Sequence, residues 1–139
     1  MTDTKKYVLG TAYEGYASEV IVDLPKADIK SGLVVAKDNG GKPVVVGTGN
    51  PYGISGQNTF KVSTPVQTNG LKVCARLAAS QTPEIGKKVY CNAAGEILTA
   101  TTDGAIELAA TFASNKVVGI DLSDNTEVDA VLLDFPGGL

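Results

Sequence analysis

No apolar run in this chain is long, and nearly every one ends in residues that turn the backbone. EVIVDL, GLVVAK, KPVVVG, LKVCARLAA, KKVYC, KVVGIDL and VDAVLLDF are short, rich in valine, and separated by DNGG, NG, NAAG, SDNTE and proline-bearing stretches. Runs of this length suit strands rather than helices, which need roughly ten or more periodic residues. Sixteen glycines and six prolines supply the punctuation. The expected fold class is therefore all-β: a small β-barrel or β-sandwich, jelly-roll-like and built from hairpins. At 139 residues the chain has the length of one domain, and such a domain buries roughly 70% of its unfolded surface, enough to fold without staples.

The pattern divides the chain into an extended N-terminal arm, residues 1–18, and a single barrel or sandwich domain, residues 19–139. The arm carries Tyr7, Tyr13 and Tyr16 spaced by Gly10 and Gly15, with neither a strand nor a helix period. Within the domain, DNGG predicts a hairpin turn after GLVVAK. Pro43 is expected at an edge or at a strand's first residue, and Pro65 at an edge strand or a bulge. Asn69-Gly70 predicts a two-residue hairpin pairing Thr68 with Leu71, Val66 with Val73 and Val62 with Leu77, both turn residues having positive φ. Residues 105–114 fit either a strand or one short helix, since Leu108 and Phe112 satisfy both spacings.

One segment recurs. GLVVAKDNGGKPV at 32–44 and GKKVYCNAAGEIL at 86–98 align without a gap at a separation of fifty-four, matching Gly32 with Gly86, Val35 with Val89, Asp38 with Asn92 and Gly41 with Gly95. Each is a strand-turn-strand unit entered through a Pro/Gly corner. YGIS at 52–55 and VGID at 118–121 extend the match at a separation of sixty-six, which predicts a pseudo-duplicated domain with extra residues in its second copy.

The residues that carry common chemistries are missing or misplaced. There is no histidine, the side chain on which general acid-base and nucleophilic mechanisms most often lean. The acidic stretch DLSDNTEVD lacks the spacing of a calcium loop, and GTGNPYG has no helix behind it to cradle phosphate. Neither Lys37 nor Lys42 has the context of a lipoyl or biotinyl carrier lysine. The expectation is no enzyme, no cofactor and no metal. A net charge of −3 without a basic face argues against nucleic acid, and no run approaches the roughly 20 apolar residues of a membrane helix. MTDTKKYVLG lacks the apolar stretch of a secretory signal, pointing to synthesis in a cytoplasm. Cys74 and Cys91 are expected as free, buried thiols rather than a disulfide.

Through IKSGLVVAKDNGGKPVVVG with PYGIS, and PEIGKKVYCNAAGEILTA with KVVGIDL and VDAVLLDFPGG, the chain resembles the head decoration, or cement, proteins of tailed bacteriophages. The likeness spans most of residues 19–136 and is one of pattern, without a signature motif. It implies a structural protein that binds the outer surface of an assembled capsid and stabilises it between major-capsid hexamers. The implied partners are the major capsid protein and further copies of the chain, as a dimer or trimer. The implied location is the virion exterior, after synthesis in the host cytoplasm. The alternative is another phage structural or recognition module, such as a tail or fibre component or a glycan-binding β-domain; the absence of tryptophan disfavours stacking on sugars. Elements bearing apolar or aromatic groups but without an assigned place in a sheet are the expected capsid contacts: the arm with Tyr7, Tyr13 and Tyr16, and the loop with Asn50, Pro51 and Tyr52.

Overall fold

The computed structural model describes residues 5–14, 20–23, 29–57, 64–102 and 104–139, and every regular element among them is a strand. The first residues form β1 (Lys6–Val8) and β2 (Ala12–Glu14). They are followed by β3 (Val20–Asp23), β4 (Val34–Lys37), β5 (Pro43–Val45), β6 (Gly53–Ser55) and β7 (Thr64–Gln67). Beyond these lie β8 (Gly70–Arg76), β9 (Lys88–Cys91), β10 (Ile97–Leu98), β11 (Ile106–Phe112), β12 (Val117–Asp121) and β13 (Thr126–Phe135).

Two sheets result, and they share one plan. The first has the order β3-β7-β6-β4-β5; in the second, β8-β13-β11-β9-β10 repeats that order strand for strand. The shared plan extends to single hydrogen bonds. Asp38 N–H donates to the Lys42 carbonyl at 2.8 Å and Asn92 N–H to the Glu96 carbonyl at 3.0 Å. Each turn is then clamped by its first side chain, Asp38 Oδ1 accepting from Lys42 N–H and Asn92 Oδ1 from Glu96 N–H, both at 3.0 Å. The duplication read from the sequence is thus a structural one.

Its third element differs from the one expected. Gly32 N–H binds the Ser55 carbonyl and Gly86 N–H binds the Phe112 carbonyl, so the counterpart of β6 is β11, not the VGID strand. The glycine shared by YGIS and VGID misled the alignment, because β11 reaches the same place after an irregularity between Leu108 and Thr111. Residues 106–112 are a strand throughout. Their spacing of four between Leu108 and Phe112 is two strand periods as well as about one helical turn. β11 and β12 run end to end along one edge of β13, with β8 on its other edge.

The Asn69-Gly70 hairpin does not form. β7 pairs with β3 and β6, whereas β8 pairs with β2 and β13, so Asn69 and Gly70 carry the chain from one sheet to the other. Gly70 has φ 149°, and Asn69 is not among the positive-φ residues; Val62 lies outside the described residues. An alternating strand can satisfy any partner of matching face, and here long-range partners win over the local turn. Pro43 opens β5 at the sheet's edge, as expected. Pro65 is in an interior strand, but β6 has already ended at Ser55 where the missing amide would point, and the Pro65 carbonyl still accepts from Gly56 N–H.

The main core lies between the sheets. Val34, Ala36 and Ile54 from the first meet Val73, Val89, Cys91, Phe112, Val131 and Phe135 from the second. A smaller cluster of Leu9, Cys74, Ala130 and Leu132 fills the other face of the second sheet. One of the two sheets is a curled half-barrel, and the N-terminal β1 and β2 pair with β12 and β8 of the second sheet.

Candidate functional site

The arm is extended, and it is also a strap. β1 pairs in parallel with β12, and β2 pairs antiparallel with β8. These lie on opposite edges of the β8-β13-β12 layer, so Leu9, Gly10 and Thr11 cross from one edge to the other. Leu9 N–H binds the Ile120 carbonyl on one side; Gly10 N–H binds the Cys74 carbonyl, and Cys74 N–H the Thr11 carbonyl, on the other. Leu9 points inward and is fully buried. Room for it comes from Gly119, where a Cβ would lie 2.6 Å from Leu9 Cδ2 and 2.7 Å from Ala130 Cβ. The expectation that Tyr7 and Tyr13 have no place in a sheet is therefore corrected for both; Tyr16 lies outside the described residues.

Tyr7 and Tyr13 meet on the strap. Their rings are edge to face with centroids 5.0 Å apart, a favoured aromatic geometry. Tyr13 Oη accepts from Val8 N–H at 2.6 Å, and Lys5 Nζ sits 5.0 Å from the Tyr7 centroid. Tyr7 packs on the small cluster, while Tyr13 is 40% exposed. Ion pairs flank them: Lys6 with Glu127 at 2.7 Å, and Lys72 with Glu14.

Asn50, Pro51 and Tyr52 stand elsewhere. Asn50 is exposed, Pro51 and Tyr52 half-buried, and Tyr52 packs against Ile29, Val35 and Val66 on the first sheet's outer face. Lys37 Nζ lies 5.1 Å from its ring. The five described contact residues thus fall into two patches on different sheets. Two further exposed apolar side chains were not foreseen, Ile85 and Leu122. Ile85 was detectable: in the repeat it occupies the position of Ser31, an apolar residue where the first copy has a polar one.

A polar junction ties the strap to both repeats. Arg76 donates from Nε to the Ser31 carbonyl at 2.6 Å and from its terminal nitrogen to Asp121 Oδ2 at 3.0 Å. This ion pair is nearly buried, with side chains 12% and 5% exposed. Asp121 Oδ1 also accepts from Ser123 N–H and Oγ. Gln57 Nε2 reaches the Leu9 carbonyl and Ser31 Oγ, both at 3.1 Å, and its Oε1 accepts from Leu122 N–H. Every group here is answered by another, which is how buried polar atoms hold a fold together.

Both cysteines are free and buried, in different clusters. Burial pushes the Cys74 thiol up to about 12 and Cys91 to about 11, away from the thiolate that nucleophilic or ligating cysteines need. Among the described residues no group of three His, Cys, Asp or Glu side chains is placed to hold a metal. A cleft of about 430 Å³ opens at the corner before β9, lined by Glu84, Lys87, Lys88, Tyr90, Thr99 and Phe112. Comparison with protein-family models, curated proteins and solved structures finds no match to this chain.

Proposed function

We propose that this protein is a capsid decoration protein: it attaches to the outer surface of a tailed-phage head as a small homo-oligomer, contacts the major capsid protein and stabilises the shell. The observation that carries the reading is the division between buried and exposed groups. Ionised and amide side chains near the strap are bonded to one another, whereas Tyr13, Ile85 and Leu122 are exposed on backbone held by the β2–β8 pairing, by Gly86 N–H bonding the Phe112 carbonyl next to Ile85, and by Leu122 N–H bonding Gln57 Oε1. Attachment by surface area needs that arrangement, with aromatic and aliphatic anchors on rigid elements. Catalysis needs convergent polar groups with displaced pKa values, and the displaced groups here include two thiols driven toward inertness.

The duplicated fold supports the same reading. A shell is a lattice of repeated sites, and multiple weak contacts on one oligomer combine through effective concentration. Tyr7 and Tyr13 on the strap are the leading contacts, with the Asn50-Pro51-Tyr52 loop as a second. The test is to add purified protein to expanded, assembled heads that lack it and to follow co-sedimentation and head disruption on heating. Binding with a rise in disruption temperature is expected. Binding to isolated tail fibres or glycans, without binding to heads, would favour the recognition-module alternative instead.

A further inference from the structure

The two repeats open on corners with the same backbone plan but different cover. In the first repeat the corner lies under the strap and β8. Arg76 Nε donates to the Ser31 carbonyl at 2.6 Å, Arg76 N–H to the Gly32 carbonyl at 2.8 Å, and a Cβ on Gly32 would lie 2.9 Å from Leu9 Cδ2. Ser31 is accordingly 3% exposed. Its counterpart fifty-four residues on is Ile85, and that apolar side chain is 65% exposed. Glu84, Gly86, Lys87 and Lys88 around it are exposed as well.

This uncovered corner is firmly built. Lys87 N–H donates to the Glu84 carbonyl at 3.2 Å, closing a turn with Ile85 and Gly86 at its centre. Gly86 supplies the positive φ, 85°, that the third position of such a turn takes. Two more bonds fasten the turn to the end of β11: Gly86 N–H to the Phe112 carbonyl at 2.8 Å, and Phe112 N–H to the Lys87 carbonyl at 3.1 Å. Ile85 therefore meets solvent from a backbone already in place, so docking it costs little further ordering.

Glu84 and Lys87, the two ends of the turn, also line the 430 Å³ cleft, together with Tyr90 and Phe112. An apolar side chain thus stands beside a recess with two aromatic groups in its lining. Lys88 Nζ has Glu107 Oε1 at 3.7 Å. The side chains of Glu84 and Lys87 have no ion-pair partner among the described residues. One is negative and the other positive, with Ile85 between them in the chain.

We infer that this corner joins two copies of the chain about a two-fold axis, Ile85 of each copy entering the cleft of the other against Tyr90 and Phe112, and Glu84 of each facing Lys87 of the other. A two-fold contact uses the same patch on both copies, so the patch must be complementary to itself. An apolar side chain next to a recess, with one unpaired charge of each sign at the recess, meets that condition. The charges also fix the register, since sliding or reversing one copy brings like charges together. This dimer is the homo-oligomer of the proposed function given a contact surface. Its test uses the protein alone, so self-association and capsid attachment fail separately.

The test is sedimentation equilibrium of the purified protein up to about 100 μM, where a contact with Kd of about 10 μM is mostly formed. The wild type should approach the mass of two chains and go no further. Ile85→Asp, Glu84→Lys and Lys87→Glu should each raise Kd at least tenfold, because every change acts twice across the axis. Their circular dichroism spectra should match wild type, all three side chains being exposed. An equimolar mixture of the Glu84→Lys and Lys87→Glu proteins should dimerise again, two positive groups on one chain then facing two negative groups on the other. The inference is overturned by a wild type that stays a single chain or assembles beyond two, by an Ile85→Asp protein that pairs as tightly as wild type, or by a charge-reversed mixture that pairs no more tightly than its components.

Discussion

Truncating Leu9 to alanine tests whether the strap is part of the fold. The side chain is fully buried among Cys74, Ala130 and Leu132, so Leu9→Ala removes apolar contacts and leaves a cavity. Leu→Ala changes in cores cost about 2–5 kcal/mol, the larger values arising where the walls cannot collapse. Two walls here are glycine backbone, at Gly32 and Gly119, and a third is held by the strap's bonds to Ile120 and Cys74. The expected loss is therefore about 3–5 kcal/mol, which at about 3–5 °C per kcal/mol for a chain of this size lowers the Tm by on the order of 10–20 °C. Gly119→Ala should err the other way, driving a methyl into Leu9 and Ala130 and costing about 1–3 kcal/mol. Combined, the two should be less destabilising than their sum, because the new methyl occupies the space Leu9 gave up. Thermal and denaturant unfolding of the four proteins measures this. A Leu9→Ala loss under about 1 kcal/mol, or strict additivity, would refute a strap packed into the barrel.

Gly95→Ala should cost about 3 kcal/mol or more, from positive φ plus collision with the Val34 carbonyl, whereas Gly41→Ala, at nearly the same φ but in open space, should cost only about 1 kcal/mol; equal losses in a urea titration would contradict the seating of the 92–95 turn. Arg76→Ala should destabilise by about 3 kcal/mol, because it strands the Asp121 carboxylate in a nearly buried position, and a near-neutral effect would show that water replaces the guanidinium. Both thiol pKa values are raised by burial above their ordinary value near 9, so the unfolded chain loses those protons first as pH rises. Stability should be full below pH 8 and fall from about pH 9 up to about 11 for Cys91 and about 12 for Cys74, by on the order of 1 kcal/mol per thiol at pH 10. Cys74→Ala should flatten that slope relative to wild type, and an identical slope would mean that Cys74 is not buried in the folded state.

The fold class was readable because valine-rich alternation and glycine turns constrain every local choice. The DNGG and NAAG hairpins formed where glycine and an Asp or Asn side chain fix the turn. The Asn69-Gly70 turn shows the limit of such reasoning. Its chemistry is as favourable, but whether flanking strands pair with each other depends on partners tens of residues away, which no local window contains. Strap closure was hidden for the same reason: β1 and β2 are three residues each, too short to show a period, and their pairing is set by the edges of β12 and β8. Tyr7 and Tyr13 were singled out by residue type alone, and the structure places both in the strands of the strap. Ile85 could have been found by comparing the repeats position by position, since a surface shared by two copies but apolar in only one marks a difference in what covers it.

The most direct measurement is a binding titration on heads. Expanded heads lacking the protein are mixed with increasing amounts of it, pelleted, and the ratio of bound chain to major capsid protein is measured by quantitative gel densitometry. The account predicts saturation at a fixed ratio set by the lattice, with Tyr13→Ala weakening attachment at least tenfold, or about 1.4 kcal/mol, while leaving the saturation ratio unchanged. Pelleting no greater with heads than without them would contradict it.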